Sequence, residues 1–239
     1  MKIRIKFRKW GVMKFIGHLD MMRYFQKAMR RADIDIKYSE GFSPHQIMSF
    51  AAPLGVGLTS DSEYFDIEVN STMSSALAVA ALNAVMVEGV EVVSYVQLPD
   101  TAKTAMSLVT AADYALSYKE GYESPYSAEE WKQIVEKEFL KQPAFTITKK
   151  TKKSEREVDL KTLVYDFYVE EQEGKPVFFL KVSTGSTDNL KPELVVSSIY
   201  ERMGIPYHEN AIQIHRLEVY TRDDSGNLLP LDALGTEII

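Results

Sequence analysis

The residues best suited to chemistry lie in the first quarter of the chain, where arginines, two histidines and a loop containing glycine and proline occur close together. One predicted helix carries a basic face, the helix stripe, made of Arg23, Lys27, Arg30 and Arg31. Arginine donates to phosphate oxygens in a bidentate manner, and a row of arginines can follow a nucleic-acid backbone. The spacing therefore favours phosphate binding by Arg23, Arg30 and Arg31. The alternative is a solvated helix face on which Arg30 or Arg31 pairs with Asp33 or Asp35.

The loop that follows this helix carries the second set of candidate residues. It reads YSEGFSPH, and its predicted binding residues are Tyr38, Ser39, Gly41, Phe42 and His45. Gly41 permits a positive φ, and the backbone N–H groups of such a loop can hold an anion. Aromatic rings at three of these positions can stack on a nucleobase. The alternative is an ordinary turn with Phe42 packed inward.

Two histidines, His18 and His45, are candidates for acid–base chemistry on RNA or for binding a metal with Asp20 or Glu63. Neither H-x-x-x-H nor H-E-x-x-H spacing is present, so no metal site is predicted. We assign no catalytic residue in the leading hypothesis, and whether the chain is an enzyme stays open. His18 and His45 become catalytic only in the second hypothesis, a metal-independent ribonuclease.

Another basic face, the strand stripe, comprises Arg4, Lys6 and Arg8 on the first predicted strand. In a ferredoxin-like strand order this strand neighbours the third one, which places Asp66 and Glu68 opposite these bases. We expect cross-strand pairing, worth about 0.2–1 kcal/mol per pair, to neutralise the strand stripe.

A basic segment in the second half, KKTKKSERE at residues 149–157, is predicted to be either an exposed hairpin tip or a mobile arm for polyanions.

Composition limits the classes of function. The chain has 239 residues, a net charge of -6 and no cysteine, which excludes disulfides, thiolate catalysis and a cysteine-ligated iron–sulfur cluster within it. Residues 1–60 carry 11 Lys and Arg against 4 Asp and Glu, so the front of the chain is basic. No apolar run approaches the ~20 residues of a membrane helix, and the first residues do not form a secretory signal. We expect a cytoplasmic protein without a cofactor.

Hydrophobic periodicity predicts two halves with the order β-α-β-β-α-β. The first half is predicted to contain the strand Met1–Phe7, the helix Leu19–Ala32, extended pieces at Ile34–Lys37 and Gln46–Phe50, the strand Glu63–Val69, the helix Thr72–Val87 and the strand Val90–Gln97. The second is predicted to contain the strand Ala112–Tyr118, the helix Ala128–Phe139, the strands Ala144–Thr148, Val164–Glu170 and Val177–Ser183, the helix Pro192–Met203 and the strand Ile212–Tyr220. The predicted fold is α+β with two ferredoxin-like halves and antiparallel sheets, at residues 1–98 and 104–221. Residues 222–239 are predicted to be a weakly patterned, partly disordered tail.

Several segments together resemble a known family. They are GHLD at 17–20, RR at 30–31, YSEGFSPH at 38–45, PLGVGLTSDSEYFDIEV at 53–69, and in the second half REVDLK at 156–161, GSTDNLKPE at 185–193 and IQIHRLEVY at 212–220. The chain resembles the radical-SAM-linked domain family, a bacterial family of unknown function found alone or at the C-terminus of radical-SAM proteins. The resemblance covers roughly residues 1–220. It implies a radical-SAM partner and a link to RNA modification or ribosome-related processes, but it implies no reaction.

The leading hypothesis is a non-catalytic accessory protein that binds RNA or another polyanion and works with a radical-SAM enzyme. The chain lacks the C-x-x-x-C-x-x-C run of a radical-SAM cluster, so that chemistry must come from the partner. The ribonuclease hypothesis rests on an outline similar to that of CRISPR repeat-processing endonucleases, with Tyr38 or Ser39 assisting and Arg30 or Arg31 stabilising the developing charge. A third hypothesis is a protein-interaction module whose basic front docks on an acidic protein.

Overall fold

The computed structural model describes residues 1–150, 155–185 and 188–239, without the side chains of residues 149, 150, 155 and 156, and divides the chain into two compact units. Unit 1 comprises Met1–Ala111 and Arg216–Ile239, and unit 2 comprises Ala112–His215. The elements in chain order are β1 Lys2–Lys9, α1 His18–Arg31, β2 Met48–Phe50, β3 Thr59–Glu68, α2 Ser75–Asn83, β4 Val90–Leu98, α3 Ala105–Leu108, β5 Ala111–Tyr118, α4 Ala128–Val135, β6 Thr146–Lys150, β7 Glu155–Asp159, β8 Val164–Gln172, β9 Lys175–Ser183, α5 Pro192–Met203, β10 Ile212–Arg222 and β11 Leu228–Pro230.

Unit 1 contains a sheet in which β1 lies between β4 and β3, and β2 pairs with β3. The pairs β1–β3, β1–β4 and β2–β3 are all antiparallel. This is the strand order that a β-α-β-β-α-β chain gives when it forms one sheet. The predicted α+β class with a mostly antiparallel sheet is confirmed.

One face of this sheet packs on the helices because the apolar residues of β1 alternate. Ile3, Ile5 and Phe7 are buried, and the rings of Phe7 and Phe25 of α1 lie 4.7 Å apart. The buried residues of α1 are Met21, Phe25, Ala28 and Met29, whereas Met22 is only partly buried. Burying each large apolar side chain contributes about 1.5–3 kcal/mol, so this contact fixes α1 and leaves its polar face in solvent.

The last residues of the chain are an integral part of unit 1, and the prediction of a partly disordered tail is wrong. β11 pairs antiparallel with the end of β10, and Leu231 is fully buried. The backbone N–H of Gln97 donates to Thr236, and Ser75 exchanges hydrogen bonds with Ile238. Sequence pattern missed this segment because its order comes from contacts distant along the chain rather than from local periodicity. The unit boundaries accordingly differ from the predicted limits at residues 98 and 221.

In unit 2, β9 lies between β5 and β8, with β8 and β9 antiparallel, and β6 and β7 form a separate two-stranded sheet. Its core includes Trp131 of α4, whose ring centroid lies 5.1 Å from Phe178 and 5.0 Å from Tyr200. α4 begins with a capping box between Ser127 and Glu130, which satisfies the first backbone donors of the helix. The predicted helix Pro192–Met203 is confirmed as α5.

Candidate nucleic-acid interface

The polar face of α1 presents the helix stripe to solvent. Arg23, Lys27, Arg30 and Arg31 are all exposed. Arg23 pairs with Asp20 at 3.0 Å, and both side chains are about two-thirds exposed. The side chains of Arg30 and Arg31 form no hydrogen bond or ion pair with another residue that the structure describes. Two permanent positive charges therefore stand at the end of α1 without a carboxylate partner in the described chain.

Asp35, which the sequence analysis considered as a partner for these arginines, bonds to other residues. Its carboxylate accepts from Asn70 Nδ2 at 3.0 Å and from the hydroxyl and backbone N–H of Ser71 at 2.7 and 3.2 Å. These bonds, Asn70 first and then Ser71, lower the pKa of Asp35. The carboxylate is stabilised as an anion without any arginine.

The candidate loop is attached to the middle of α1. Its base is closed by a backbone bond from Ser39 N–H to His45 O at 2.8 Å. The next residue, Gln46, is buried, and its Nε2 donates to the carbonyl of Gln26 at 3.1 Å and to the Tyr38 hydroxyl at 3.4 Å. Gln26 lies three residues after Arg23 and four before Arg30, so the loop joins α1 on the side of these two arginines. The structure therefore places the loop beside part of the helix stripe.

The tip of the loop projects into solvent. The side chain of Phe42 is fully exposed and Tyr38 is 45% exposed, so the alternative of an inward-packed Phe42 is wrong. Gly41 has φ +106°, a conformation that residues with a side chain rarely adopt. Within the described chain, Gln46 Oε1 is buried without a hydrogen-bond partner, which leaves an acceptor open where the loop meets the helix.

The two histidines occupy different places. His45 Nδ1 lies 2.9 Å from Ser39 Oγ, which also accepts from the His45 backbone N–H at 3.1 Å. His18 is the first residue of α1, half-buried, with its ring centroid 5.3 Å from that of Phe50. Eight residues of helix, about 12 Å, separate His18 from Gln26, where the loop is attached. The structure therefore gives His18 a packing role and does not place it with His45 in one constellation.

The strand stripe is neutralised, as predicted, but of the two predicted partners only Asp66 takes part, because Glu68 lies opposite Lys2 and pairs with Lys37. Arg4 is fully buried and forms a bidentate pair with Asp66 at 2.8 and 3.0 Å, in the predicted cross-strand register. Lys6 pairs instead with Glu218 of β10 at 2.6 Å. Arg8, about half exposed, pairs with Glu91 at 3.2 Å.

Sequence reasoning missed the polar cluster around Glu218. Its carboxylate accepts from Ser62. The Tyr64 hydroxyl lies 2.8 Å from Glu218 and 3.0 Å from Asp232, so its single proton can be donated to either carboxylate. Burial, followed by the charges of Glu218 and Asp232, raises the pKa of Tyr64 far above its usual value. The alternating polar residues of β3 are the only signal of this cluster in the sequence, because the carboxylates come from distant segments.

A second buried pair lies nearby in unit 1. Arg216 Nε donates to Glu63 Oε1 at 2.9 Å, and both residues are buried. Lys9 is also buried and donates to the carbonyl of Ile16 at 2.7 Å. Desolvation lowers the pKa of Lys9, in part offset by the charge of Glu63. Because the Arg216–Glu63 pair is hydrogen-bonded and excluded from solvent, we assign it a structural role.

Two further surfaces were missed. Val12, Phe15, Leu19 and Val56 of unit 1 are large apolar residues more than 60% exposed, and a tyrosine-rich cavity opens in unit 2. The concentration of tyrosines at 118–126 and 200–207 was the available signal for the cavity. The predicted arm at Lys149–Arg156 lies outside the residues whose side chains the structure describes.

In the described chain no helix has the length and apolar character to cross a bilayer, and no group of three metal-ligating side chains comes together.

Comparison with known proteins gives a family but no activity. No curated protein matches the chain. Among solved structures it is similar to a chain of the "Crystal Structure of a Cbf5-Nop10-Gar1 Complex", with 13% identity and a TM-score of 0.49; the match covers 91% of this chain but about half, 48%, of the other. The family model described as "Uncharacterized protein conserved in bacteria (DUF2344)" matches residues 2–192. Because this match spans most of the chain, the protein belongs to that family of uncharacterized bacterial proteins.

Proposed function

We propose that this protein is a non-catalytic accessory protein that binds RNA, or another polyanion, and works with a radical-SAM enzyme. The binding site is the loop–helix surface, which consists of Arg23, Arg30, Arg31, Tyr38, Ser39, Gly41, Phe42 and His45. The observation that carries the proposal is the exposure of Arg30 and Arg31, without partners in the described chain, on the helix that anchors the aromatic loop.

The arginines of this surface suit the phosphates of a single-stranded nucleic acid, and its exposed aromatic rings suit the bases. Guanidinium groups bind phosphates at little cost when no carboxylate has to be displaced first. An exposed aromatic ring such as Phe42 offers a base a stacking partner worth about 1–3 kcal/mol. Charge and stacking side by side favour single-stranded RNA over a duplex, whose bases are not free to stack on a protein ring.

Fluorescence anisotropy with a labelled single-stranded RNA over a series of KCl concentrations tests this proposal. The variant Arg23→Ala, Arg30→Ala, Arg31→Ala should bind at least roughly tenfold more weakly, and its slope of log affinity against log salt should fall by about one per lost phosphate contact. The matched control is Lys132→Ala, Lys137→Ala, Lys141→Ala, which removes the same charge from exposed positions of unit 2. Equal loss in both variants, or no binding by the unmodified protein at low salt, contradicts the proposal.

Phe42→Ala separates stacking from charge. This change should weaken binding of single-stranded RNA by at least about fivefold while leaving the salt slope unchanged, because no cation is removed. Leu77→Ala, at another exposed apolar position of unit 1, is the control. An unchanged affinity would remove the loop from the binding surface.

The radical-SAM partner is proposed from the sequence resemblance, and the absence of cysteine is consistent with a partner that carries the cluster. Capture of the tagged protein from a lysate of its own source, with and without nuclease and at two salt concentrations, tests this part. A radical-SAM protein that persists after nuclease treatment supports a direct contact. Its absence under all four conditions contradicts the partnership without affecting the RNA measurement.

A metal-independent ribonuclease is a second candidate because Ser39 Oγ lies 2.9 Å from His45 Nδ1, an arrangement that leaves Nε2 as the free ring nitrogen. If this reading holds, total RNA incubated with the protein in EDTA should give defined fragments, and His45→Ala should abolish them. An unchanged RNA profile contradicts it, and cleavage that survives in both His18→Ala and His45→Ala points to a contaminant.

A protein-interaction module whose basic front docks on an acidic protein remains the third candidate. The exposed apolar residues Val12, Phe15, Leu19 and Val56 add an apolar docking mode to it. The salt dependence separates the two modes, because neutralisation of phosphates gives a steep slope and apolar docking a shallow one.

A further inference from the structure

Unit 2 contains a cavity of about 270 Å³ whose lining includes four tyrosines. The aromatic and ionisable residues that line it are Tyr118, Tyr122, Tyr200, Tyr207, Glu123 and His208. Two of the rings, Tyr200 and Tyr207, lie 5.3 Å apart at an angle of 71°, so they form a corner of the cavity. The volume is sufficient for a small head group rather than for a nucleotide.

The aromatic walls are held in place from behind. The hydroxyls of Tyr118 and Tyr200 bond to each other, and the ring of Tyr200 packs against Trp131 at 5.0 Å. Trp131 Nε1 in turn donates to Ser124 Oγ at 2.8 Å. Both tyrosines and the tryptophan are buried, so the wall is preformed and loses little conformational entropy when a ligand enters.

One carboxylate belongs to the lining of the cavity. Glu123 lines it, and none of the described residues that line it is lysine or arginine. Desolvation, with added effects from Glu193, Tyr118 and Glu209, raises the pKa of Tyr207 to about 12. Burial therefore disfavours any ion at Tyr207, while Glu193 and Glu209 contribute negative charge there.

We propose that this cavity binds an alkylammonium group, either a small free amine or the head of a lysine side chain. Aromatic rings attract cations through their quadrupoles, and quaternary ammonium groups are recognised in cages of such rings. The ring corner supplies ring faces for such a cage, and Glu123 supplies the counter-charge. The cavity differs from the loop–helix surface in unit and in the sign of its charge, and this inference does not rest on the proposed function.

Choline and its uncharged isostere 3,3-dimethyl-1-butanol provide the direct test, with binding followed by NMR of tyrosine-labelled protein. Choline should shift the signals of Tyr200 and Tyr207 in a saturable manner, and the neutral isostere should bind at least roughly tenfold more weakly. Equal affinity for both compounds would show an apolar cavity without cation recognition and would overturn the proposal. Absence of saturation with choline and with a lysine dipeptide would also overturn it.

Variants locate the site and identify the source of the ligand. Glu123→Gln, at an exposed position where folding should be unaffected, should weaken choline binding several-fold, whereas Glu171→Gln on the exposed end of β8 should not. Tyr207→Leu should weaken it roughly tenfold, and Tyr207→Phe, which keeps the ring and the fold, should bind nearly as well as the unmodified protein.

Tighter binding of N-acetyl-lysine amide than of choline assigns the site to a lysine side chain, and the reverse assigns it to a free amine. Loss of binding in Arg23→Ala, Arg30→Ala, Arg31→Ala would contradict a separate site.

Discussion

The side chain of Arg4 in β1 is fully buried and bonded to a carboxylate and two backbone carbonyls, whereas the side chains of Arg30 and Arg31 in α1 are exposed and bond to no described residue. Both belong to runs of basic residues at regular spacing, and both runs lie in unit 1. The difference arises from their neighbours. A central strand has a partner residue directly opposite on each side, and β3 supplies Asp66 there. The outer face of a helix has no such partner, so its charges stay available to a ligand.

Arg4→Met should have the largest effect on stability. The change leaves the mostly buried carboxylate of Asp66 without its bidentate partner, and breaking a buried pair costs about 3–5 kcal/mol. Urea unfolding measures the loss, with Arg8→Ala as the control, for which about 0–1 kcal/mol is expected because that pair is half exposed. The double variant Arg4→Met, Asp66→Asn should lose less than the sum of the single changes. Equal losses for Arg4→Met and Arg8→Ala would remove the proposed difference between buried and exposed pairs.

Leu231→Ala should have the next largest effect on stability. The Leu231 side chain is fully buried, and its backbone carbonyl accepts a hydrogen bond from Arg4. Removing a buried leucine side chain costs about 2–5 kcal/mol, depending on how far the site collapses. The same urea experiment measures it, and the exposed Leu77→Ala should change stability by under about 0.5 kcal/mol. A negligible effect of Leu231→Ala would contradict the assignment of the last residues to unit 1.

Arg30→Ala and Arg31→Ala should each change the free energy of unfolding by less than about 0.5 kcal/mol, because exposed side chains without partners contribute little. Their effect should appear in RNA affinity instead, which reverses the expectation for Arg4. A loss above about 2 kcal/mol for either arginine would mean that it has a structural partner in the folded protein and would remove it from the proposed binding surface.

Features that depend on local periodicity or on strand order could be predicted from the sequence. Alternation in β1 predicted the buried face of Ile3, Ile5 and Phe7, and the β-α-β-β-α-β order predicted that Arg4 meets Asp66. The ends of α5 were also predicted correctly.

Features set by distant segments were not predictable in the same way. Lys6 pairs with Glu218, more than 200 residues away, and the last residues of the chain have no periodic pattern that indicates β11. In the candidate site, residue types identified the arginines and the loop. Only the structure gave the Gln46–Gln26 bond that joins them and the exposure of Phe42, because both depend on tertiary contacts.

The smallest expected effect concerns Asp35, one of the two carboxylates that closely follow Arg30 and Arg31 in the sequence without pairing with them. Hydrogen bonds from Asn70 and Ser71 lower its pKa, so the folded state holds this group ionised at a lower pH than the unfolded chain does. Its contribution to stability is therefore present above the unfolded pKa and is lost as pH falls through the folded pKa. Ser71→Ala removes one hydroxyl donor and should raise the pKa of Asp35 towards its ordinary value, as measured by NMR titration of the carboxyl carbon. Arg30→Ala and Arg31→Ala are the matched comparison and should leave that pKa where it is. A rise in the arginine variants equal to that in Ser71→Ala would place a guanidinium beside Asp35, and the helix stripe would then be neutralised within the protein, as the strand stripe is.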